Sequence, residues 1–207
     1  MNSLFWFRRD LRLDDNTALN AALNNNSVIA VFIFDANIVS KLPANDARIN
    51  FIYNQLKKID ALLKSHGSSL LVLKGDPVNI FSQLIEQYNT DVVYSNRDYE
   101  PYAISRDKRI AELLQKNKIK FLQFKDQVVF EPHEILKADG LPYTVYTPYK
   151  NKWLSSFKEI LPIEKVSEQN LNYNISNHRI PTLEELGFIR SSIKVKPFNI
   201  EDLDNYS

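Results

Sequence analysis

The sequence predicts an α/β protein built on a five-stranded, doubly wound parallel sheet of Rossmann-like type, with strand order 3-2-1-4-5 and helices on both faces. Two observations carry this prediction. Five short runs are mainly apolar, as is typical of strands buried on both faces; they lie at residues 3–7, 27–34, 69–74, 91–96 and 119–124. Four helical segments separate these runs, and strands that alternate with helices indicate parallel pairing through crossover connections.

The first two strands lead into helices with clear start and stop signals. Asn16 follows a charged turn and is a good N-cap for a helix over Thr17–Leu23. Asn45 or Asp46 is expected to cap a long helix, which Gly67 ends at its C′ position. The apolar residues of this helix recur at helical spacing, at Ile49, Ile52, Tyr53, Leu56, Ile59 and Leu63. The charged residues expected on its solvent side are Lys57, Lys58, Asp60 and Lys64.

Proline marks the two helix starts in the second half of the sheet. Asp76 and Pro77 supply an acidic cap and a first-turn proline for the helix after the third strand. Pro101 opens the helix after the fourth strand, which is predicted to run to Lys116. The inward residues of the first of these helices are predicted to be Val78, Phe81, Leu84, Ile85 and Tyr88.

The pattern changes beyond Lys125. A short helix is predicted to start at Glu131-Pro132, a turn at Asp139-Gly140 and a last helix over residues 150–159. After Pro162 the chain is polar and rich in asparagine, with one helical turn expected over residues 182–186. We therefore divide the chain into an α/β domain at residues 1–160 and an extended connector at residues 161–207.

Composition excludes several classes of protein. The 207 residues carry 26 basic and 25 acidic side chains, so the net charge of +1 gives no broad field for nucleic acid. The chain has no cysteine, and its three histidines are far apart, which excludes disulfides and makes a metal site unexpected. No segment is typical of a signal peptide or a membrane span. These features predict a soluble, cytoplasmic protein with no membrane partner and no metal.

The carboxyl edge of the sheet is the expected ligand site, because parallel sheets usually bind ligands where the winding direction reverses. The chain has four glycines, and none of them can form the G-x-G-x-x-G or G-x-x-x-x-G-K-[ST] motifs that cradle phosphates. The turns at this edge carry charged and aromatic residues instead. We therefore expect a planar, polar ring system in the site rather than a nucleoside triphosphate.

The turn after the fourth strand, residues 96–102, is the most informative of these. Asp98 and Glu100 share one side of the segment if it is extended. They would then accept hydrogen bonds from the N–H groups of a flat heterocycle that lies on a tyrosine. The alternative is structural: Glu100 caps the following helix, and Asp98 pairs with Arg97 or Arg106. No nucleophile or histidine lies nearby, so a hydrolytic site is unsupported.

The charged turn after the first strand carries a family resemblance. Residues 6–16 have the sequence WFRRDLRLDDN, which resembles the opening of the DNA photolyase and cryptochrome family. Two other interpretations fit this run: its arginine–aspartate pairs hold the turn in place, or Arg8, Arg9 and Arg12 contact DNA phosphates. The alternating aspartates argue against DNA contact. Across residues 3–160 the chain is similar to the amino-terminal α/β domain of photolyases, which carries a light-harvesting antenna chromophore.

The resemblance also implies site residues. The turn at residues 98–102, followed by Arg106, resembles the antenna pocket of members that use a deazaflavin or flavin. Arg48 resembles the family's pocket arginine, and Phe34 and Asp35 fall where the family's backbone meets the chromophore. Folate is less expected, because Tyr102 and Ala103 stand where folate-binding members have an Asn-Glu pair. The candidate cofactor-binding residues are therefore Phe34, Asp35, Arg48, Asp98, Glu100, Tyr102 and Arg106.

The function implied by the resemblance is that of an antenna domain of a deoxyribodipyrimidine photolyase. In that family FAD, contact with damaged DNA and dimer splitting belong to a helical carboxyl-terminal domain. That domain is expected to be absent from this chain, and we assign no catalytic residue and no metal ligand. Two alternatives are the amino-terminal domain of a cryptochrome blue-light receptor and a nucleotide-binding or interaction domain without light chemistry.

Overall fold

The computed structural model describes residues 2–24, 27–157 and 173–193, and its centre is a parallel sheet. The five strands are β1 (Asn2–Phe7), β2 (Ser27–Asp35), β3 (Leu70–Gly75), β4 (Val92–Asn96) and β5 (Lys120–Phe124). They lie in the order β3-β2-β1-β4-β5, and every neighbouring pair is parallel. The predicted fold class and strand order are confirmed, and the winding direction reverses between β1 and β4.

The helices begin and end close to the predicted positions. They are α1 (Thr17–Leu23), α2 (Ala36–Val39), α3 (Ala47–Ser65), α4 (Pro77–Gln87), α5 (Pro101–Lys116) and α6 (Tyr146–Ser156). The predicted caps form: the side chains of Asn16, Asp46 and Asp76 each accept a backbone N–H of the first turn. Gly67 has a φ of 74°, the left-handed conformation that ends α3. The short helix α2 was not predicted.

Alternate residues of the central strands face two separate cores. On one face, Phe5 and Phe7 of β1 belong to a buried cluster with residues of α1 and α3. On the other face, Leu4 and Trp6 belong to a cluster with residues of α4 and α5. Because successive side chains of a strand point to opposite faces, a run that is apolar throughout fits a sheet covered on both sides.

Three sequence predictions need correction. Asp60 is buried rather than on the solvent side of α3, since its carboxylate accepts the backbone N–H of Leu70 at 2.9 Å and pairs with Lys64 at 2.7 Å. Residues 132–134 after Glu131 form a turn and not a helix. The last helix begins a turn earlier than expected, at Tyr146, and ends at Ser156. Residues 158–159 of the predicted helix lie outside the described residues.

The described part of the predicted connector packs on the domain. Tyr173 forms a parallel bridge with Val28, and Leu183, Leu186 and Phe188 are buried. The expected turn before Gly187 forms, with Gly187 at a φ of 73°. The rest of the predicted connector, residues 161–172 and 194–207, lies outside the described residues. Among the residues described, no helix is both long enough and apolar enough to span a membrane.

Candidate functional site

A cavity of about 450 Å³ opens at the carboxyl edge of the sheet, beside the point where the winding direction reverses. The ends of β1 and β2, helices α2 and α3, the turn after β4 and the start of α5 form it. Its size lies in the usual range for small-molecule sites, roughly 300–1,000 Å³. The residues predicted for the site all line this cavity: Phe34, Asp35, Arg48, Asp98, Glu100, Tyr102 and Arg106.

The cavity walls are largely apolar. Strand ends supply the aromatic residues Trp6, Phe7, Phe32 and Phe34, the helices supply Ile38, Val39, Ile49, Ile52 and Ala103, and the loop between α2 and α3 supplies Leu42. The polar residues of the lining come from the turn after β1 (called the β1 turn), the turn after β4 (called the β4 turn), the end of β2 and the first turns of α3 and α5. An apolar cavity with a few fixed polar groups is the usual form of a small-molecule or cofactor site.

Asp35 joins two walls of the cavity. Its buried carboxylate accepts the backbone N–H of Asn37 at 3.0 Å, which caps α2, and the hydroxyl of Tyr102 at 2.8 Å, which reaches it from α5. Burial, together with the hydrogen bond to Asp35, raises the pKa of Tyr102 to about 12. Tyr102 is therefore a neutral donor at physiological pH, and its ring remains part of the cavity wall.

Two arginines of the cavity lining, Arg8 and Arg106, form a buried network with Asp107. Asp107 accepts Nη1 of Arg8 at 2.5 Å, and its other oxygen accepts Nε and Nη2 of Arg106 at 3.0 and 2.9 Å. Nη1 of Arg106 also lies 3.7 Å from Asp35. The guanidinium carbons of Arg8 and Arg106 lie 5.0 and 4.7 Å from the centre of the Trp6 ring. The two cations are thus neutralised by carboxylates and packed against an aromatic floor.

At the rim, Arg9 connects the β1 turn to the β4 turn. Its Nη2 lies 2.5 Å from Glu100, and its Nε lies 3.5 Å from Asp98. The hydrogen bond to Glu100 raises the pKa of Arg9. The structural alternative for this turn does not describe these contacts. The Glu100 side chain does not cap α5, and Asp98 pairs with Arg9 rather than with Arg97 or Arg106. Arg97 pairs instead with Glu131, at 2.7 Å.

Arg48 lies on the opposite side of the cavity, in the first turn of α3. It forms a two-pronged pair with Asp46, with Nε–Oδ1 and Nη2–Oδ2 distances of 2.9 and 2.8 Å. The Arg48 hydrogen bonds lower the pKa of Asp46 to about 2. The Arg48 side chain is 71% exposed and is not paired with Asp98 or Glu100, so the cavity between them is open.

The three arginines of the β1 turn each pair with a carboxylate far along the chain. Arg8 pairs with Asp107 and has a side chain only 7% exposed, whereas Arg12 pairs with Asp126 at 2.9 Å. Asp10 of the same run instead accepts backbone and asparagine donors. The run therefore holds the carboxyl edge of the sheet together, and its buried Arg8 is not presented to a DNA phosphate.

Sequence reasoning missed Arg9 as a rim residue and the α2 wall. The signal for α2 was present in the sequence, because Asp35 precedes Ala36-Asn37 as an N-cap residue would. No local signal pairs Arg9 with Glu100, since that contact forms only when β1 and β4 lie side by side.

Comparison with known proteins agrees with this architecture. The DNA photolyase family profile matches residues 3–168. The chain is 36% identical over 193 residues to a deoxyribodipyrimidine photo-lyase of a Synechococcus species, a match that covers 89% of this chain and 40% of the relative.

Two solved structures are similar over nearly the whole chain. A class III photolyase from Agrobacterium tumefaciens has a TM-score of 0.75 at 28% identity, with 99% of this chain and 41% of that chain covered. A photolyase from the archaeon Sulfolobus tokodaii, described with two FAD molecules that imply a novel light-harvesting cofactor, has a TM-score of 0.71 at 27% identity. That match covers 94% of this chain and 43% of the archaeal one.

The chain thus spans about 40% of the length of the relatives it matches. The profile match extends from the first strand past α6 and includes every residue of the candidate site. The predicted family resemblance is confirmed, and the chain belongs to the DNA photolyase family.

Proposed function

We propose that this chain is the light-harvesting domain of a deoxyribodipyrimidine photolyase and that its cavity binds a pigment of the flavin or deazaflavin type. The observation that carries the proposal is the meeting of all the predicted site residues around one largely apolar cavity. One photolyase that matches this chain is described with two FAD molecules, which supports a flavin pigment.

The cavity suits a flat ring better than a chain of phosphates. Four arginines and three carboxylates line it, so its charges nearly balance, and it has no glycine loop to cradle a phosphate. Phe34 and Tyr102 offer aromatic contact, and Asp98 and Glu100 offer hydrogen-bond acceptors to ring N–H groups. Arg48 is placed to close the cavity over the ring. When bound, such a pigment absorbs light and transfers the energy to a second chromophore by dipolar coupling.

The catalytic flavin and the DNA contact are proposed to belong to a separate helical domain of the parent protein, in the cytoplasm. The chain's own length, about 40% of its relatives, is consistent with this division. A folate antenna is less favoured, because Tyr102 and Ala103 both line the cavity as an aromatic ring and a small apolar group, with no carboxamide or carboxylate at those positions.

Equilibrium titrations of the purified chain with flavin mononucleotide and with a deazaflavin, followed by pigment fluorescence, test the proposal. We expect saturable binding of one pigment per chain, with weaker binding of a reduced folate. Ile38→Asp, which places a charge on the half-exposed α2 wall, should weaken binding about tenfold. Ile104→Asp is the matched control, because Ile104 is an exposed helical isoleucine outside the cavity. Absence of saturable flavin and deazaflavin binding would refute the proposal, as would equal effects of the two substitutions.

Photolyase and cryptochrome parents differ in activity rather than in this domain. A thymine-dimer repair assay under blue light, performed on the parent protein that carries this domain, distinguishes them. We expect repair; pigment binding without repair would assign the domain to a cryptochrome.

A further inference from the structure

Two side chains of the cavity lining, Trp6 and Tyr102, are aromatic and readily oxidised, unlike the phenylalanines around them. A flavin excited by light is a strong oxidant and takes an electron from an indole or a phenol that lies against its ring. This inference rests on the proposed function, in which a flavin-type pigment occupies the cavity. The surroundings of the two side chains decide which of them supplies the electron.

Trp6 lies in surroundings that oppose its oxidation. The guanidinium carbons of Arg8 and Arg106 lie 5.0 and 4.7 Å from the centre of its ring. Removal of an electron from the indole would replace this cation–π attraction by repulsion. The indole Nε1–H is buried and has no hydrogen-bond partner among the residues described, so no acceptor is in place to take its proton.

Tyr102 lies in the opposite surroundings. Its hydroxyl donates a hydrogen bond of 2.8 Å to Oδ2 of Asp35, which is only 4% exposed. Burial and this hydrogen bond raise the pKa of Tyr102 to about 12, so the phenol holds its proton in the dark. A phenol that has lost an electron is a strong acid. The hydrogen bond to Asp35 is within the range over which a positioned base takes a proton, roughly 2.6–3.2 Å.

Arg106 does not cancel this advantage. Its guanidinium carbon lies 5.8 Å from the centre of the Tyr102 ring, and its Nη1 lies 3.7 Å from Asp35. Once the proton has moved to Asp35, the oxidised Tyr102 is neutral, so Arg106 does not repel it. Arg106 then loses its attraction to Asp35 but keeps its shorter pair with Asp107, at 2.9 Å.

We propose that Tyr102 and Asp35 form a proton-coupled electron donor to the light-excited flavin in the cavity. Tyr102 loses one electron to the flavin, its O–H bond breaks, and the proton passes to Oδ2 of Asp35. A neutral phenoxyl radical remains on Tyr102, and Asp35 becomes a neutral carboxylic acid. Return of the electron to Tyr102 and of the proton from Asp35 restores the starting state, so no other oxidant or reductant is consumed. The pair thereby limits how long the pigment stays excited when no second chromophore takes up the energy.

Tyr99 provides a matched control. Its hydroxyl donates a hydrogen bond of 3.0 Å to the buried carboxylate of Glu131, and burial with this hydrogen bond raises the pKa of Tyr99 to about 12 as well. Tyr99 belongs to the same β4 turn, but it lines a separate cavity of about 380 Å³ and not the cavity of the candidate site. The same chemical pair is therefore present outside the pigment site.

Time-resolved fluorescence of flavin mononucleotide bound to the chain tests the proposal. The slower loss of polarisation of the bound pigment separates its signal from that of free pigment. Tyr102→Phe removes the electron donor and should lengthen the excited-state lifetime about threefold or more. Asp35→Asn should lengthen it too, since an amide oxygen accepts a hydrogen bond but is too weak a base to take the proton. Tyr99→Phe should leave the lifetime unchanged.

Exchange of water for deuterium oxide supplies a readout that a purely structural role of Tyr102 would not change. Because the electron and the proton leave together, deuteration should lengthen the lifetime in the unsubstituted chain and in Tyr99→Phe, but not in Tyr102→Phe. Equal lifetimes in the unsubstituted chain and Tyr102→Phe would overturn the proposal. Equal lengthening in Tyr102→Phe and Tyr99→Phe would overturn it as well, as would the absence of a deuterium effect in the unsubstituted chain.

Failure of this proposal is distinguishable from failure of the proposed function. Flavin binding is measured separately by titration. Saturable binding with an unchanged lifetime in Tyr102→Phe refutes the electron donor alone and leaves the pigment site standing. Absence of flavin binding refutes a flavin site, and the electron donor with it.

Discussion

The hydroxyl of Tyr102 donates a hydrogen bond of 2.8 Å to Oδ2 of Asp35, across the cavity from the first turn of α5 to the end of β2. The other oxygen of the same carboxylate accepts the backbone N–H of Asn37 and so fixes the start of α2. One buried carboxylate thereby positions two walls of the cavity. The shape of the candidate pigment site depends on this contact.

Removing the Tyr102 hydroxyl tests that dependence. Tyr102→Phe keeps the ring but deletes the donor, so the free energy of unfolding should fall by about 1 kcal/mol. Flavin mononucleotide binding should weaken as well, because the α5 wall is no longer tied to β2. Tyr146→Phe, an exposed tyrosine on α6, is the control and should change neither quantity. Urea unfolding and pigment titration measure them; identical results for the two variants would show that the contact is unimportant.

The buried arginine network should be the most sensitive part of the site. Asp107→Ala leaves the buried Arg8 without its carboxylate partner and leaves Arg106 with only the more distant Asp35, so we expect a loss of about 3 kcal/mol or more in unfolding free energy. Lys137→Ala removes one partner of an exposed pair and should cost less than about 1 kcal/mol. Urea unfolding of the two variants measures both losses of unfolding free energy. A loss below about 1 kcal/mol for Asp107→Ala would contradict a stabilising role of the network.

Arg48 should affect pigment binding without affecting stability. Arg48 and Arg179 are a matched pair: their side chains are 71% and 70% exposed, and each forms a two-pronged contact with one carboxylate. Arg48 lines the cavity, whereas Arg179 does not. Arg48→Gln and Arg179→Gln should both change unfolding free energy by less than about 1 kcal/mol. Flavin mononucleotide affinity should fall only for Arg48→Gln, and an equal fall for both would remove Arg48 from the site.

The segment at residues 173–193 should loosen in mild acid through His178. Its Nδ1 lies 3.0 Å from the Ser69 hydroxyl and its Nε2 3.0 Å from the Tyr88 hydroxyl. Burial lowers the pKa of His178, and nearby Asp60 opposes this only in part. Because the folded-state pKa is below the ordinary value of 6.5, the folded chain binds fewer protons than the unfolded chain in this range. The stability from His178 is therefore present above that value and is lost as the pH falls through the folded-state pKa.

Urea unfolding from neutral pH to about pH 5 checks this dependence. The unsubstituted chain should lose more stability on acidification than His178→Gln does. His133→Gln, at an exposed histidine, should behave like the unsubstituted chain. If all three proteins show the same pH dependence, His178 does not control this segment.

Local signals were enough to predict most of the fold. The apolar runs predicted the strands. Helix α5 begins at Pro101 and ends at Lys116, as predicted, and proline favours the first helical turn. Asp60 was predicted on the solvent side of α3, because a charged residue in a helical pattern is usually solvated. In the fold its carboxylate instead accepts the backbone N–H of Leu70, the first residue of β3. Glu131 did not start a helix, because its carboxylate is engaged by Arg97 and Tyr99.

The sequence predicted which residues line the site, but it did not predict which residues form ion pairs there. Turn composition and family resemblance singled out residues that line one cavity, since the carboxyl ends of parallel strands meet at one edge. The carboxylate partners of Arg8, Arg9 and Arg12 lie at least 89 positions away along the chain, as the numbers of the nearest pair, Arg9 and Asp98, show. Such pairs follow from the three-dimensional packing, and no local pattern encodes them.

A crystal structure of the chain grown with flavin mononucleotide tests the central claim most directly. The account predicts an ordered flavin ring inside the cavity, in contact with Phe34 and Tyr102 and within hydrogen-bond distance of Asp98 or Glu100. A cavity without pigment at saturating flavin mononucleotide, or a flavin bound elsewhere on the chain, would contradict it.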